Sequence, residues 1–304
     1  MSVWNLFQDY TFLVVALGSA VLGLLSGVLG TLAVLNKQAL IGDGISHSAL
    51  PGLVLAFMII GVKQTLPMML GALLSGMLSV GMVTLVVRFT KIKFDAALAL
   101  MLSVFFGLGL VLKTLLQKQP NARQAGIDSY LYGQASALLR GDVLIMAIAS
   151  LLSLLLVILL WKQIQVTMFD KEFAQSIGIP VHIINVLLTA LIALAIIIGI
   201  QSVGVVLMSA MLIAPAVAAR QWTSRLWLMM TLSAVFGILA GVAGTVLSSL
   251  YEGMPTGASI VLLISVIAIA SLLFAPGRGI INRSIQRANA RRAIREGKYV
   301  SPGN

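Results

Sequence analysis

No cysteine occurs in the 304 residues, which removes thiolate metal sites, catalytic thiols and disulfides and leaves the redox compartment unreadable. Charge is scarce: 10% of the residues are Asp, Glu, Lys or Arg against 60% hydrophobic, and mean hydropathy is +1.06. That balance excludes a soluble globular domain and fits an all-α polytopic membrane protein. No stretch of about ten residues alternates apolar with polar, which argues against a β-barrel. Nowhere does G-x-x-x-x-G-K-[ST] occur, so the chain carries no phosphate-binding loop of that kind. H-E-x-x-H is missing too, and the two histidines, His47 and His182, are far apart. Met1 to Tyr10 holds no basic residue; it does not read as a cleaved leader, and the first apolar segment is expected to stay as a membrane helix.

What charge there is lies unevenly. Residues 276–304 carry seven basic side chains and one acid, Glu296, within a net charge of +11. We read a transmembrane body over 1–275 and a basic cytoplasmic tail over 276–304, not a nucleic-acid-binding domain. In the tail Arg283, Arg287, Arg291 and Arg295 recur every four residues, a spacing suited to a helix on an anionic lipid surface, to an ATPase contact, or to a solvated topology anchor.

Apolar segments of membrane-spanning length fall near 11–35, 44–62, 66–88, 94–117, 142–161, 181–200, 203–219, 226–250 and 256–275. That is about nine crossings, with 203–219 short enough to be broken or re-entrant. Nine crossings with the N-terminus outside place 15 of the 20 basic residues on the cytoplasmic side; merging 181–219 into one crossing, with the N-terminus inside, places 14. Both keep the tail inside, and the positive-inside rule barely separates them. Small residues at four-residue spacing, such as Gly23/Gly27, Gly71/Ser75 and Gly237/Gly241/Thr245, suit close helix packing.

The most informative stretch is Gly42-Asp43-Gly44-Ile45-Ser46-His47-Ser48-Ala49-Leu50-Pro51-Gly52. An acid and an imidazole four apart on a helix point down one face. In a membrane such residues normally line a polar path, and oxygen plus nitrogen without sulfur suits a divalent transition metal that must be released again. Pro51 has no N–H for the carbonyl of His47. The plain alternative is an Asp helix cap followed by a His bonded to a neighbouring helix. A second charged piece, Asp170-Lys171-Glu172-Phe173-Ala174-Gln175-Ser176-Ile177-Gly178-Ile179-Pro180, reads as a short helix stopped by glycine and proline. Asp95, before Ala96-Ala97-Leu98, fits a helix cap and dipole partner first and a pathway residue second. Pro215 frees the carbonyl of Met211 as Pro51 frees that of His47, which marks either a path edge or a simple kink. Segment 126–138 is too polar to span.

Four stretches together resemble one family. The 42–52 run is similar to the signature of the ABC-3 permeases, bacterial importers of manganese, zinc or ferrous iron. Lys91-Ile92-Lys93-Phe94-Asp95, the run from Val203 through Pro215 with Arg220, and Met254-Pro255-Thr256-Gly257-Ala258 resemble its other motifs, in family order between about 10 and 275. The resemblance implies an architecture like that of the vitamin B12 and siderophore importers. It implies a permease subunit without catalytic residues, pairing with a second permease (homo- or heterodimer), two cytoplasmic ABC ATPases that hold the ATP, and an extracellular or periplasmic metal-binding protein. Asp43 and His47 carry over as the ion-contacting pair. Asp170, Glu172, Ala174 and Gly178 carry over as a coupling segment, about 168–179, that seats in the ATPase and requires the nine-crossing reading. Segment 126–138 carries over as a gating helix, while Asp95, Met211 and Pro215 are possible pathway or gate residues. No permanently bound cofactor is implied, only a transported ion, manganese ahead of zinc and iron. The place is the bacterial cell membrane, with many passes and contact with lipid. The rival class is a gradient-driven secondary metal transporter, which calls for an inverted repeat not evident in the sequence.

Overall fold

A bilayer core offers the backbone no hydrogen-bond partner except the chain itself, so long uncharged runs wind into helices. The structure, a computed structural model, describes residues 9–61, 64–118, 133, 138–251, 253–276, 278–284, 286 and 289. The expected gating segment (apart from 133 and 138), Glu252 and most of the basic tail, including Arg287, Arg291 and Arg295, lie outside the described residues. In chain order the helices are α1 Tyr10–Leu35, α2 Ile41–Ser48, α3 Leu50–Ile60, α4 Thr65–Phe89, α5 Phe94–Gln117, α6 Arg140–Leu159, α7 Trp161–Phe169, α8 Lys171–Ser176, α9 Val181–Val203, α10 Val205–Trp222, α11 Leu226–Leu250 and α12 Thr256–Phe274.

Their ends have local causes. The Asp9 carboxylate accepts a hydrogen bond from the N–H of Thr11 at 2.8 Å and starts α1. Asp142 accepts from the N–H of Leu139 at 3.1 Å, three residues back, and starts α6. Gly204, at φ +93°, separates α9 from α10 in a conformation that side chains rarely adopt.

Among the described residues eight spans are long and apolar enough to cross a membrane, α2 and α3 counting as one. Helix α10 adds a ninth pass. Lys171, just before α9, reaches Asn36 at the end of α1, and Gly199 near the end of α9 lies against Leu22. So α9 runs antiparallel to α1. Met208 then meets Gly199 and Leu212 meets Gly30, which carries α10 back parallel to α1. The expected nine-crossing arrangement therefore fits better than the alternative that merges 181–219 into one crossing, and 203–219 belongs to a full-length helix of its own. The break at Gly204 makes two helices, and α10 extends eighteen residues, to Trp222.

Two ends of the bundle follow. Tyr10 and Arg140 meet at one end, the guanidinium 4.2 Å from the ring centre, where Thr65 also donates to Asp142. At the other, the tail end, Arg278 donates to the carbonyl of Arg220 at 2.9 Å. Helix α1 runs through the middle, with Leu22, Leu25, Leu29 and Leu32 fully buried. Helix α11 crosses it in backbone contact: Gly23 lies on the carbonyl of Gly237 and Gly237 on that of Gly23, leaving no room for a Cβ on either. Ser233 Oγ donates across the crossing to the Gly27 carbonyl at 2.8 Å. Without a hydrophobic force between helices in lipid, such close approach and interhelical bonds hold the bundle.

Gly237→Val is expected to destabilise the detergent-solubilised protein by about 3 kcal/mol or to prevent its accumulation, as overpacking of a tight contact does. Thermal unfolding monitored beside an Ala240→Gly control measures the effect.

Candidate functional site

The 42–52 stretch does not form one helix. Helix α2 ends at Ser48, Ala49 is a turn residue, and α3 starts at Leu50 with Pro51 in its first turn. Pro51 has no N–H to continue the ladder toward His47. Helix α4 covers the break with hydroxyls: Ser75 Oγ donates to the Ser48 carbonyl at 2.6 Å, and the hydroxyls of Ser48 and Ser79 pair at 2.9 Å. Small residues let α2 lie in a crowded place. Gly44 is covered by Leu98 of α5, and Gly42 by Leu212 of α10. Ile45 packs on Gly76, near the midpoint of α4, so this broken element sits about halfway through the bundle.

Asp43 and His47 share one face of α2, with Nε2 3.4 Å from Oδ1. The imidazole is 18% exposed and the carboxylate 44%. His47 Nδ1 is buried without a hydrogen-bond partner, and Phe106 of α5 meets the ring edge-on at 4.9 Å. The ring is thus held by packing, with Nε2 the nitrogen presented beside the carboxylate. Two ligands each about 2.1 Å from one ion at a tetrahedral angle lie about 3.4 Å apart. The pair therefore has the spacing of two corners of a metal shell. Among the described residues no third His, Cys, Asp or Glu joins it. Asp43 is not the helix cap of the plain reading, because Leu40 holds that position.

The other sequence candidates spread out. Asp95 is exposed in the first turn of α5, and Lys93 occupies the cap position without a side-chain bond. The capping bond expected of Asp95 does not form; what remains is its charge beside a helix N-terminus. Leu98, one turn on, covers Gly44. Met211 is fully buried in the main apolar core, and Pro215 is buried inside α10.

At the tail end, Asp170 caps α8 by accepting from the Phe173 N–H at 2.9 Å. Gly178, at φ +84°, closes the helix, with Ile179 N–H returning to the Ala174 carbonyl at 3.0 Å. Ala174 is fully buried beneath, whereas Glu172 is exposed on the first turn. Two residues were missed from the sequence: Phe173 and Ile177, each 53% exposed on this short helix. Two apolar residues four apart inside a charged loop were the available signal. Next to α8 a cleft of about 440 Å³ lies between α1, α4 and α9, lined in part by Asn36, Arg88, Lys171, His182 and Asn185. His182 is exposed on that cleft.

Residues 8–275 match the model of the ABC 3 transport family. A zinc transport system membrane protein, TroC, of Treponema pallidum (strain Nichols) is 44% identical over 280 residues, covering 92% of this chain and 94% of that one. A manganese transport system membrane protein, MntC, of Bacillus subtilis (strain 168) is 44% identical over 291 residues, covering 96% and 67%. Among solved structures, PsaBC from Streptococcus pneumoniae in complex with Fab superposes with a TM-score of 0.82 at 29% identity, over 94% of this chain and 98% of that one.

Asp170→Ala removes the cap of α8 and is expected to cost about 1 kcal/mol of local stability. Faster amide exchange over 171–177, with α9 unchanged, registers it.

Proposed function

The chain belongs to the ABC 3 transport family, and we propose that it passes a divalent transition metal, manganese or zinc, between Asp43 and His47 as the membrane permease of a bacterial ABC importer. The observation that carries this reading is the pair itself: a carboxylate and an imidazole 3.4 Å apart, midway through the bundle. Relatives named for manganese and for zinc transport share 44% of its residues. Manganese is favoured, with ferrous iron open to the same ligand chemistry; the nitrogen–oxygen set itself does not choose, since affinity at such sites rises toward zinc whatever the cargo.

Two ligands are too few to strip an ion of its water. A second permease, identical or paralogous, would present its own pair across a shared axis and complete about four positions. Weak, divided ligation suits a conduit, because an ion held too tightly does not leave. Lacking a phosphate-binding loop, the chain draws its drive from ABC ATPases docked at the tail end. Helix α8, with Glu172, Phe173 and Ile177 exposed above buried Ala174, is the docking piece; Asp170 and Gly178 hold its ends. The tail end faces the cytoplasm on this reading, which puts 15 of the 20 basic residues inside. An extracellular or periplasmic binding protein then delivers the ion at the opposite end. Asp95, Met211 and Pro215 stand as second-line pathway residues: Asp95 near the mouth at the tail end, the other two within α10 behind α2.

In proteoliposomes of the whole complex, Asp43→Asn and His47→Ala are each expected to lower metal uptake at least about tenfold, since loss even of outer-shell partners costs that much. Uptake at the wild-type rate in both variants overturns the assignment, and uptake without added ATPase subunits selects the gradient-driven alternative. Supplying manganese, zinc and iron separately identifies the cargo.

A further inference from the structure

Helix α8 is joined to the ion-pair helix by a short side-chain route. Lys171 Nζ, on the first residue of α8, donates to Asn36 Oδ1 at 3.2 Å. Asn36 is the last residue before the link to α2, and its Nδ2 donates onward to Gln38 Oε1 at 2.9 Å. Much of that link is bonded back onto the chain. The N–H groups of Lys37 and Gln38 return to the carbonyls of Val34 and Ala33, at 3.2 and 2.9 Å. Ile41 N–H reaches the Gln38 carbonyl at 3.0 Å, and Gly44 N–H reaches Leu40 at 3.1 Å, in the same turn as Asp43. Lys37 sits at φ +59°, the one described residue other than glycine in the left-handed region, which fixes the reversal. A segment so closed moves as a body instead of absorbing displacement. Room to move exists as well, because Asn36, Gln38 and Lys171 line the open cleft at the tail end.

We propose that Lys171 and Asn36 are positioning residues: their bond ties the docking helix to the link that carries Asp43 and His47, so that displacement of α8 by the ATPase reorients the pair. This rests on the docking role given to α8 above. A mobile ammonium gripping a neutral amide suits the task, since such a bond re-forms when the helices shift by an ångström or two. Helix α8 otherwise packs chiefly on α7 and α9, its neighbours in sequence, and this bond extends its reach toward α2.

The test measures metal ions moved per ATP hydrolysed in proteoliposomes of the whole complex. Lys171→Met and Asn36→Leu are each expected to lower that ratio about fivefold, the low end of coupling between distant sites. The double variant should be no worse than either single one, and Lys171→Arg, which keeps the donor, should restore the ratio. A purely structural role would not move this ratio or show that non-additivity. Phe173→Asp, on the exposed face of α8 away from the tether, serves as the reference. Ratios unchanged in the tether variants beside a lowered ratio in Phe173→Asp overturn the tether and leave the docking reading standing. Unchanged ratios in all of them overturn both. Effects that multiply in the double variant also overturn the tether.

Discussion

A carboxylate and an imidazole held 3.4 Å apart halfway through an apolar bundle impose the constraint that the surrounding helices answer. Ionisable side chains at that depth cost several kcal/mol by the larger estimates unless partnered or wet. Here the cost is reduced in two ways: the two groups face each other, and the carboxylate keeps 44% exposure. The helix carrying them is short because a longer one would bring Pro51 into its interior. At the break at Ala49, Ser75 from another helix donates to the Ser48 carbonyl. Site and packing are thus one problem: α4 must be close and polar at Ser75 and Ser79, and α5 must lie against Gly44.

The tail end answers a different demand. On the docking role proposed for α8, that helix has to be firm in itself and loosely joined to the rest. Helix α8 is six residues long, closed by Asp170 at one end and by Gly178 at the other, with Phe173 and Ile177 outward. Its firmness is local, from caps, not from burial in the bundle. The reversal at Lys37 is firm for the same reason. Two stiff pieces meeting at a single ammonium–amide bond form the kind of joint through which motion can be passed over a distance.

Much of this was legible in the chain. Long uncharged runs fix the number of helices because lipid leaves no alternative, and four-residue spacing fixes Asp43 and His47 on one face. The short charged helix ending at Gly178 was visible because its stop signal is a glycine that must be left-handed. Four features were not legible, each for a physical reason. Ala49 is itself a good helix former, so the only local signal for the break was Pro51, two residues on, and the Ser75 hydroxyl that covers it comes from another helix, twenty-odd positions away. The end of α10 at Trp222 was missed because Arg220 and Gln221 read as loop, although polar residues at a membrane surface lie comfortably in a last helical turn. Asp95 looked like a cap from its place before two alanines, but Lys93 took the cap position and the acid is left as a dipole partner. The Lys171–Asn36 bond spans 135 positions, which no spacing rule reaches.

The central claim is that the ion passes at Asp43 and His47, and the most direct test looks at the ion itself. Pulsed electron paramagnetic resonance on Mn²⁺ held in the whole complex, trapped with a nonhydrolysable nucleotide, reports nitrogen bonded to the metal. A clear imidazole ¹⁴N coupling is expected, and it vanishes in His47→Gln while the protein stays assembled. A manganese signal that shows water alone, or an imidazole coupling that survives His47→Gln, contradicts the claim.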